Sequence, residues 1–231
     1  MSRLSIIVPA LDEAPGIAEG LAALAPLRLR GVEVVVVDGG SADGTASIAE
    51  PLVDRVVTAP RGRAAQMNAG ARVATGDVLL FLHADTRLPA EADRLVLEGL
   101  AASGRDWGRF DVRIEGRAAL LAVVAALMNA RSRLTGIATG DQALFARRDA
   151  FAAAGGFPPI ALMEDIAFSR AMKRRGPPLC LRERAVTSGR RWERHGTLRT
   201  ILLMWRLRLS YWLGADPARL AARYGSGRTA R

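Results

Sequence analysis

Residues 32–45, Val-Glu-Val-Val-Val-Val-Asp-Gly-Gly-Ser-Ala-Asp-Gly-Thr, decide the fold of this chain. Their apolar run is continuous rather than alternating, which is typical of a strand covered on both faces in a parallel sheet. Further apolar runs lie at residues 4–8, 53–58 and 77–82. Helical patterns lie between the runs, at residues 13–24, 43–50 and 63–73. This alternation predicts an α/β fold with a Rossmann-like, mostly parallel sheet flanked by helices.

The second half of the chain alternates less regularly. Its helical patterns cover residues 90–103, 117–134, 148–154 and 164–175, and its strand patterns cover residues 107–114, 141–145 and 179–186. A strongly helical, amphipathic segment follows at 197–213, and the polar, basic tail at 225–231 is predicted to be disordered. The sequence therefore predicts an α/β domain with a C-terminal helical segment.

The composition narrows the class of protein. With 33 Lys+Arg against 23 Asp+Glu, the formal net charge is +10. Such a charge favours anionic partners such as phosphates, nucleic acid or an acidic membrane face, although a soluble protein with a basic surface has the same balance. The single cysteine, Cys180, excludes an internal disulfide framework and a cysteine-based metal cluster.

The apolar segments bear on location. The N-terminal residues enter a strand pattern without the features of a signal peptide, and the apolar run at 118–128 is too short to span a bilayer. We therefore expect a cytoplasmic protein, either soluble or peripheral on the inner face of the membrane.

Residues at the carboxyl ends of the strands are the first candidates for a site, because ligands of doubly wound sheets bind there. The first strand leads into Pro9-Ala10-Leu11-Asp12-Glu13, and the second leads into Asp38-Gly39-Gly40. A carboxylate directly behind a buried strand, such as Asp38, is costly without a partner and can accept hydrogen bonds from a base or a ribose. The glycine pair lets the backbone approach a ligand closely. Ser41 and Asp43 have a second interpretation as caps of the next helix.

Two arginines, Arg61 and Arg63, lie at the start of the helix pattern over residues 63–73. A helix N-terminus favours anions, so these cations gain nothing from the helix dipole. A bound diphosphate would explain them, and the alternative is that they are solvated surface residues.

Acidic residues with a chemical interpretation occur at two further places. Asp85 follows the fourth strand in Phe81-Leu82-His83-Ala84-Asp85-Thr86, where a carboxylate is suited to Mg²⁺ or Mn²⁺ held jointly with a substrate diphosphate. His83 either assists this site or is a packed side chain. Glu164 and Asp165 open a helix pattern, so they either complement the helix dipole or provide a general base directed into a cleft.

Together these segments resemble the family 2 glycosyltransferases of the GT-A fold. The similar segments span about residues 3–192 and follow one another in the family's order: Ile-Ile-Val-Pro-Ala-Leu-Asp12-Glu13, Val-Val-Asp38-Gly-Gly-Ser-Ala-Asp43-Gly-Thr, Arg63-Ala-Ala-Gln-Met-Asn68-Ala-Gly70, His83-Ala-Asp85, Gly155-Gly156-Phe157 and Glu164-Asp165. The chain most resembles a bacterial subgroup with His-Ala-Asp-Thr, Gly-Asp-Gln and Met-Glu-Asp motifs. The resemblance implies inverting, metal-dependent transfer of a sugar from a nucleotide-diphospho-sugar to an acceptor hydroxyl, with Mn²⁺ or Mg²⁺ as cofactor.

The resemblance also implies roles for individual residues. Asp165 would be the general base, Glu164 would orient the acceptor, and Asp85 would bind the metal ion, with His195 completing the metal shell or lying on the surface. The expected contacts to the nucleotide-sugar are Pro9, Ala10, Asp12, Glu13, Asp38, Gly39, Arg63, Asn68, His83 and Ala84.

The chain departs from the family pattern at three points. His83 stands in place of the first acid of the Asp-x-Asp motif, and Gly39 stands where a second Asp usually follows Asp38. The Gln-x-x-Arg-Trp signature of processive synthases is absent from the sequence. We therefore expect transfer of one sugar per reaction.

The predicted domain covers residues 1–224, with a nucleotide-binding half over about 1–90, an acceptor half over about 91–196 and an amphipathic helix at 197–214. That helix carries Trp205, Tyr211 and Trp212 together with three arginines. One interpretation is a basic helix on a membrane surface, where a lipid-linked acceptor would be found. The other is a packed helix or a homodimer contact, which produces the same spacing of aromatic residues.

Three other classes of protein share single features with the chain. A haloacid-dehalogenase-like phosphatase needs an Asp where His83 stands and needs the motif after the first strand. A nucleotidyltransferase also begins with a nucleotide-binding α/β half, but it requires a glycine-rich basic loop directly after the first strand. A nucleic-acid-binding module would explain the net charge and would leave Asp38, Asp85 and Asp165 without a role.

Overall fold

The computed structural model describes residues 2–225, except for the side chains of residues 191, 194, 195 and 225. Gly225 is the last residue of a helix, and residues 226–231 of the predicted tail lie outside the described residues.

The described residues contain a sheet of eight strands. In chain order they are β1 (Leu4–Ala10), β2 (Glu33–Asp38), β3 (Arg55–Thr58), β4 (Val78–Phe81), β5 (Thr86–Arg87), β6 (Trp107–Glu115), β7 (Phe145–Arg147) and β8 (Leu179–Ser188). Their spatial order is β3-β2-β1-β4-β7-β6-β8-β5.

Parallel pairing dominates the half of the sheet built from the first part of the chain, where β1 pairs with β2 and β4 and β2 pairs with β3. In the other half, β6 pairs in parallel with β8. β7 runs antiparallel to both β4 and β6, and β5 runs antiparallel to β8. The predicted α/β fold with a mostly parallel sheet is confirmed.

Helices cover both faces of the sheet and extend beyond it. They are α1 (Ala14–Ala22), α2 (Ala25–Leu29), α3 (Thr45–Ala49), α4 (Arg63–Val73), α5 (Ala92–Ser103), α6 (Leu120–Thr135), α7 (Arg148–Ala153), α8 (Glu164–Lys173), α9 (Arg190–His195), α10 (Thr197–Trp212) and α11 (Pro217–Gly225). The described helices include none with the length and apolarity that crossing a membrane requires.

The strand predicted at 141–145 is wrong. Residues Gly140–Gln142 form a 3₁₀ turn, and the strand β7 begins only at Phe145. Two hydrogen bonds fix the turn: the N–H of Thr139 donates to Oε1 of Gln142, and the N–H of Gln142 donates to the carbonyl of Thr139. This local hydrogen bonding prevails over the apolar pattern of the segment.

Close contact between α4 and the sheet occurs at Gly70. A methyl group added there would lie 2.4 Å from Cγ2 of Ile7 on β1 and 2.9 Å from Cγ2 of Val37 on β2. Both neighbours are fully buried and β-branched, so their side chains have little freedom to move aside. The helix that begins with Arg63 is thereby pressed against two neighbouring strands.

An aromatic cluster joins the two halves of the chain on the same face. Phe157 lies 4.8 Å from Phe81 and 4.4 Å from Phe168, measured between ring centroids. Trp107 makes an edge contact with Phe168. Since Phe81 ends β4 and Phe168 is on α8, the cluster fixes the start of α8 relative to the end of β4.

We expect Gly70→Ala to lower the free energy of unfolding by about 1–3 kcal/mol, because the added methyl group overpacks the contact with Ile7. Gly16→Ala on α1 is the matched control, since a methyl group there meets no atom closer than 3.9 Å. Higher helix propensity should leave that variant unchanged or more stable by up to about 1 kcal/mol. Urea unfolding of both variants measures the difference, and equal stability of the two would contradict the proposed contact.

Candidate active site

A cleft of about 1150 Å³ opens at the carboxyl ends of β1 and β4. One side of it is polar and is lined by Asp12, Glu13, Arg63, His83, Asp85, Asp141, Glu164 and Asp165. The other side is largely apolar and is formed by side chains of α6 and α10. The ends of β1 and β4 and the helices α6 and α10, which are distant in sequence, therefore surround one cavity.

The loops after β1 and β2 are tied together by hydrogen bonds. The backbone N–H of Asp12 donates to Oγ of Ser41, and the N–H of Glu13 donates to Oγ1 of Thr45. Asp43 accepts from the N–H of Ala14 at the start of α1 and from Thr45. These bonds hold Asp12 and Glu13 at the cleft. Asp43 also accepts the N–H of Thr45, the first residue of α3, whereas Ser41 bonds to the β1 loop and does not cap that helix.

Asp12 has a left-handed backbone conformation with φ of 54°. Such a conformation is uncommon outside glycine and costs free energy unless the surrounding structure fixes it. Its carboxylate Oδ1 accepts the N–H of Ala42, which ties the strained residue to the β2 loop.

Asp38 is almost completely buried, with 5% of its surface exposed. Its Oδ2 accepts hydrogen bonds from the N–H groups of Gly40 and Ser41. Its Oδ1 is buried and has no partner among the described residues. A buried carboxylate oxygen without a partner is costly. Oδ1 of Asp38 is therefore suited to accept a hydrogen bond from an N–H or O–H group of a ligand.

Pro9, Ala10 and Gly39 shape the site without lining the cleft. The carbonyl of Ala10 accepts from the N–H of Gly39 and from Nε2 of Gln66, which also donates to the carbonyl of Val37. The ends of β1 and β2 are thus joined through a buried glutamine side chain.

Asn68 is directed at the backbone of Phe157. Its Nδ2 donates to the Phe157 carbonyl and its Oδ1 accepts the Phe157 N–H, at 2.7 and 2.9 Å. A methyl group on Gly156 would lie 2.7 Å from the same Oδ1. The structure therefore gives Asn68 a positioning role, which anchors the loop before Glu164, while its expected contact with a nucleotide-sugar stays a prediction.

Glu13 and Asp85 form the part of the site that suits a divalent cation. Asp85 is exposed and lies between β4 and β5, and Ala84 beside it lines a smaller adjoining pocket. Burial, and then the charge of Asp85, raise the pKa of the Glu13 carboxyl, so the two carboxylates are close enough for their charges to repel.

These hard oxygen atoms fit Mg²⁺ or Mn²⁺. The described residues contain no group of three or more acidic, His or Cys side chains arranged to hold a metal ion by themselves. A cation here would therefore take its remaining ligands from a diphosphate. The side chain of His195 is outside the described residues, so its predicted metal contact stays a prediction.

His83 contacts Asp141, a residue that the sequence analysis did not select. Nδ1 of His83 lies 3.2 Å from Oδ1 of Asp141, and the ring packs against Gly140. Desolvation, the largest single cause, would raise the pKa of Asp141, but the hydrogen bond with His83 and the charges of His83, Arg63 and Arg208 together bring the pKa below its ordinary value. The pattern Thr139-x-x-Gln142, a capping-box signature, is the sequence signal that would have placed Asp141 on a turn rather than in a strand.

Glu164 and Asp165 begin α8 and line the polar side of the same cleft. Met163, just before them, has φ of 69°, which again places a strained residue beside the site. Oδ2 of Asp165 accepts the N–H of Gly140 at 3.0 Å, so its direction is fixed toward the cleft. Glu164 is 6% exposed, and burial followed by the charge of Asp165 raises its pKa.

Arg63 lies at the first position of α4, exposed to the cleft. Its charge interacts with Glu164, Asp141 and Asp165. Arg61 is more peripheral, since its guanidinium is 4.0 Å from the Asp12 carboxylate and both side chains are largely exposed.

Two further arginines in the cleft, Arg131 on α6 and Arg208 on α10, were also missed by sequence analysis. Both sit in segments that the sequence identifies only as amphipathic helices. The two arginines reach the same cleft only because of how α6 and α10 pack, and no local pattern in the sequence predicts that packing.

Comparison with known proteins identifies the family and the fold. The sequence profile described as Glycosyl transferase family 2 matches residues 5–149. No curated protein is significantly similar to the chain.

Solved structures with the same fold include three whose complexes are informative. A mannosyltransferase from Pyrobaculum calidifontis, in complex with GDP-Man and Mn²⁺, is 25% identical with a TM-score of 0.62 over 80% of this chain and 56% of that chain. TarS residues 1–349 from S. aureus, in complex with UDP-GlcNAc, is 19% identical with a TM-score of 0.66 over 80% of this chain and 58% of that chain.

The third is the glucosyl-3-phosphoglycerate synthase from Mycobacterium tuberculosis in complex with Mn²⁺, UDP and glucosyl-3-phosphoglycerate. It is 20% identical with a TM-score of 0.56, over 80% of this chain and 71% of that chain. At 19–20% identity, the likeness to the last two proteins concerns the fold alone. The chain spans less than two thirds of the length of the mannosyltransferase and TarS structures.

The fold is therefore the GT-A type shared with these glycosyltransferases, and the profile covers more than half of the sequence. The acids at the ends of β1, β2 and β4 lie in the matched residues 5–149. The chain belongs to glycosyl transferase family 2.

Proposed function

We propose that the chain transfers one sugar, with inversion, from a nucleotide-diphospho-sugar to the hydroxyl of an acceptor. The observation that carries the proposal is the meeting of two sets of acids in one cleft: Glu13 with Asp85 on the strand side, and Glu164 with Asp165 at the start of α8. Family membership favours sugar transfer over nucleotidyl transfer.

The strand side is proposed to hold the donor. Asp12, Glu13, Asp38 and Gly39 surround the ends of β1 and β2, and the unpartnered Oδ1 of Asp38 would accept a hydrogen bond from the nucleoside. Arg63, at the mouth of the same region, would contact the diphosphate through its guanidinium.

The metal is proposed to bind at Asp85, with Glu13 beside it. Mn²⁺ is present with GDP-Man in the mannosyltransferase from Pyrobaculum calidifontis, and we extend this cofactor, or Mg²⁺, to the chain. When bound, it would neutralise charge on the departing diphosphate. His83 stands where the family motif usually has an acid, and its contact with Asp141 orients the turn that donates to Asp165.

Asp165 is proposed as the general base. Its carboxylate faces the cleft, is held by the Gly140 N–H and is close enough to Arg63 for their charges to interact. It would take the proton of the acceptor hydroxyl as that oxygen attacks the anomeric carbon. Glu164, buried beside it and with a raised pKa, would position the acceptor.

Location, a homodimer and membrane contact stay predictions. A cytoplasmic protein, soluble or peripheral on the membrane, is the location that the sequence leads us to expect.

A screen of nucleoside diphosphates by thermal shift, with and without Mn²⁺, tests the donor site. We expect one of them at about 100 times its Kd to raise the Tm by about 5–10 °C when Mn²⁺ is present, because a ligand that binds only the folded state adds about 2.7 kcal/mol. No shift with any nucleoside diphosphate would count against the whole proposal.

Replacing Asp85 with Ala should lower donor hydrolysis or transfer by at least about 100-fold, because the metal contributes several kcal/mol of charge stabilisation. The variant should also lose the Mn²⁺-dependent part of the thermal shift. Glu98→Ala on the exposed side of α5 is the control and should behave as wild type. Turnover at the wild-type rate in Asp85→Ala would exclude the assignment of the metal.

Replacing Asp165 with Asn should keep nucleoside diphosphate binding and lower transfer by about 100- to 10,000-fold, which is the usual contribution of a general base. Asp149→Asn is a matched control. Asp149 also lies in the first turn of a helix and also accepts the N–H of the following residue, at 2.7 Å, but it is outside the cleft. Single-turnover kinetics with saturating donor would measure the loss, and an unchanged rate in Asp165→Asn would remove the base assignment.

A further inference from the structure

Two arginines in the cleft have buried guanidinium nitrogens without a hydrogen-bond partner among the described residues. Nε and Nη2 of Arg131 and Nε of Arg208 are buried and have no hydrogen-bond partner among the described residues. Neither residue is in an ion pair within 4.0 Å among those residues. A buried N–H group of a cation without a partner is costly, which makes this pair stand out from the solvated arginines of the surface.

The two guanidinium groups are also close enough to repel each other. Burial, and then the charge of Arg208, lower the pKa of Arg131 to about 10. Burial likewise lowers the pKa of Arg208. Asp165 attracts both groups and Asp141 attracts Arg208, but neither carboxylate is in an ion pair with these arginines among the described residues. An anionic group placed between them would satisfy the free N–H groups and remove the repulsion.

Apolar side chains continue from the arginine pair along both helices. Val123 and Leu127 on α6 and Trp205 and Leu209 on α10 line the cleft and are between 51% and 62% exposed. Each helix uses another face for packing: Leu121, Ala125 and Met128 of α6 contact β6, and Leu207 of α10 contacts the cluster with Leu162, Met163 and Leu220. The exposed apolar residues therefore form the walls of a groove that leads to Arg131, Arg208 and Asp165.

We propose that this groove is the acceptor subsite, and that the acceptor is an anionic lipid whose headgroup carries a phosphate and a hydroxyl. The charge of the arginine pair and the apolar walls next to it are complementary to those two parts of such a molecule. The inference rests on the proposed function, because it names the acceptor of that reaction.

The chemistry balances within the site. The headgroup hydroxyl gives its proton to Asp165, and its oxygen forms a bond to the anomeric carbon of the donor sugar. The bond from that carbon to the diphosphate oxygen breaks, and the nucleoside diphosphate leaves with the electron pair. Arg131 and Arg208 hold the phosphate of the headgroup and take no part in the proton transfer.

Binding of decyl phosphate, measured by isothermal titration calorimetry below its micelle concentration, tests the subsite without any donor. We expect it to bind at least about 10-fold more tightly than inorganic phosphate or decanol, since each of those has only one of the two matching parts. Arg131→Gln and Arg208→Gln should each weaken decyl phosphate binding by about 10-fold or more, because charge-assisted hydrogen bonds are lost. Arg206→Gln removes the same charge from an exposed position of α10 outside the cleft and should leave binding unchanged.

The apolar walls are tested by a second pair of variants. Leu127→Glu places a carboxylate in the groove and should abolish decyl phosphate binding. Leu134→Glu makes the same change on α6 at a position that is 87% exposed and does not line the cleft, and it should bind as wild type. Circular dichroism of both variants shows whether the fold is kept.

Each contrary result has a distinct meaning. Equal binding of inorganic phosphate and decyl phosphate would overturn the lipid and leave a soluble phosphate ligand. Equal binding of decanol would overturn the role of the arginines. Loss of nucleoside diphosphate binding in Arg131→Gln or Arg208→Gln, with decyl phosphate binding kept, would assign the pair to the donor. A protein that binds a nucleoside diphosphate with Mn²⁺ but not decyl phosphate would overturn this inference alone. The reverse result would overturn the proposed function, and with it the acceptor role of the groove, and would leave a groove that binds an anionic lipid.

Discussion

The parallel pairing of β1 with β2 on one side and β4 on the other is the constraint on which the rest of the site depends. Its register sets Ala10 opposite Asp38 and Ile7 opposite Phe81, so all three strands end at the same edge of the sheet. Carboxylates that follow these strands must then come together, although they are separated by more than 20 residues in the chain. The carboxylates repel one another at this edge, and a bound cation or a hydrogen-bond donor would offset that repulsion.

The other half of the site is attached to this edge by a small number of long-range contacts. Asn68 on α4 holds Phe157 across 89 residues of sequence, and Phe157 packs with Phe81 and Phe168. The hydrogen bond from Gly140 to Asp165 adds a second attachment. Through them the start of α8 takes its place opposite the strand ends, and the strained backbone at Met163 is held in a conformation that it would not adopt alone.

The sequence predicted the sheet, most helices and the acids at strand ends, because buried parallel strands and strand-end carboxylates have strong local signatures. It failed where position depends on packing between distant segments. The segment 141–145 has the composition of a strand, yet the hydrogen bonds between Thr139 and Gln142 place its first residues in a turn. Arg131 and Arg208 are ordinary members of amphipathic helices until α6 and α10 are brought to the same cleft. The two-residue strand β5 carries too few residues to produce a periodicity.

The missing side chain at Gly70 has a mechanical consequence. Because α4 touches β1 and β2 with no room for a methyl group, that helix and the strand ends form one rigid body, and Arg63 keeps its distance from Asp38 and Asp12. α10 rests instead on α8 and α11 through a small cluster, with half of its large apolar side chains uncovered. The strand side of the cleft is therefore closely packed, whereas the α10 side is held by fewer buried side chains, the condition under which a segment opens at a lower free-energy cost.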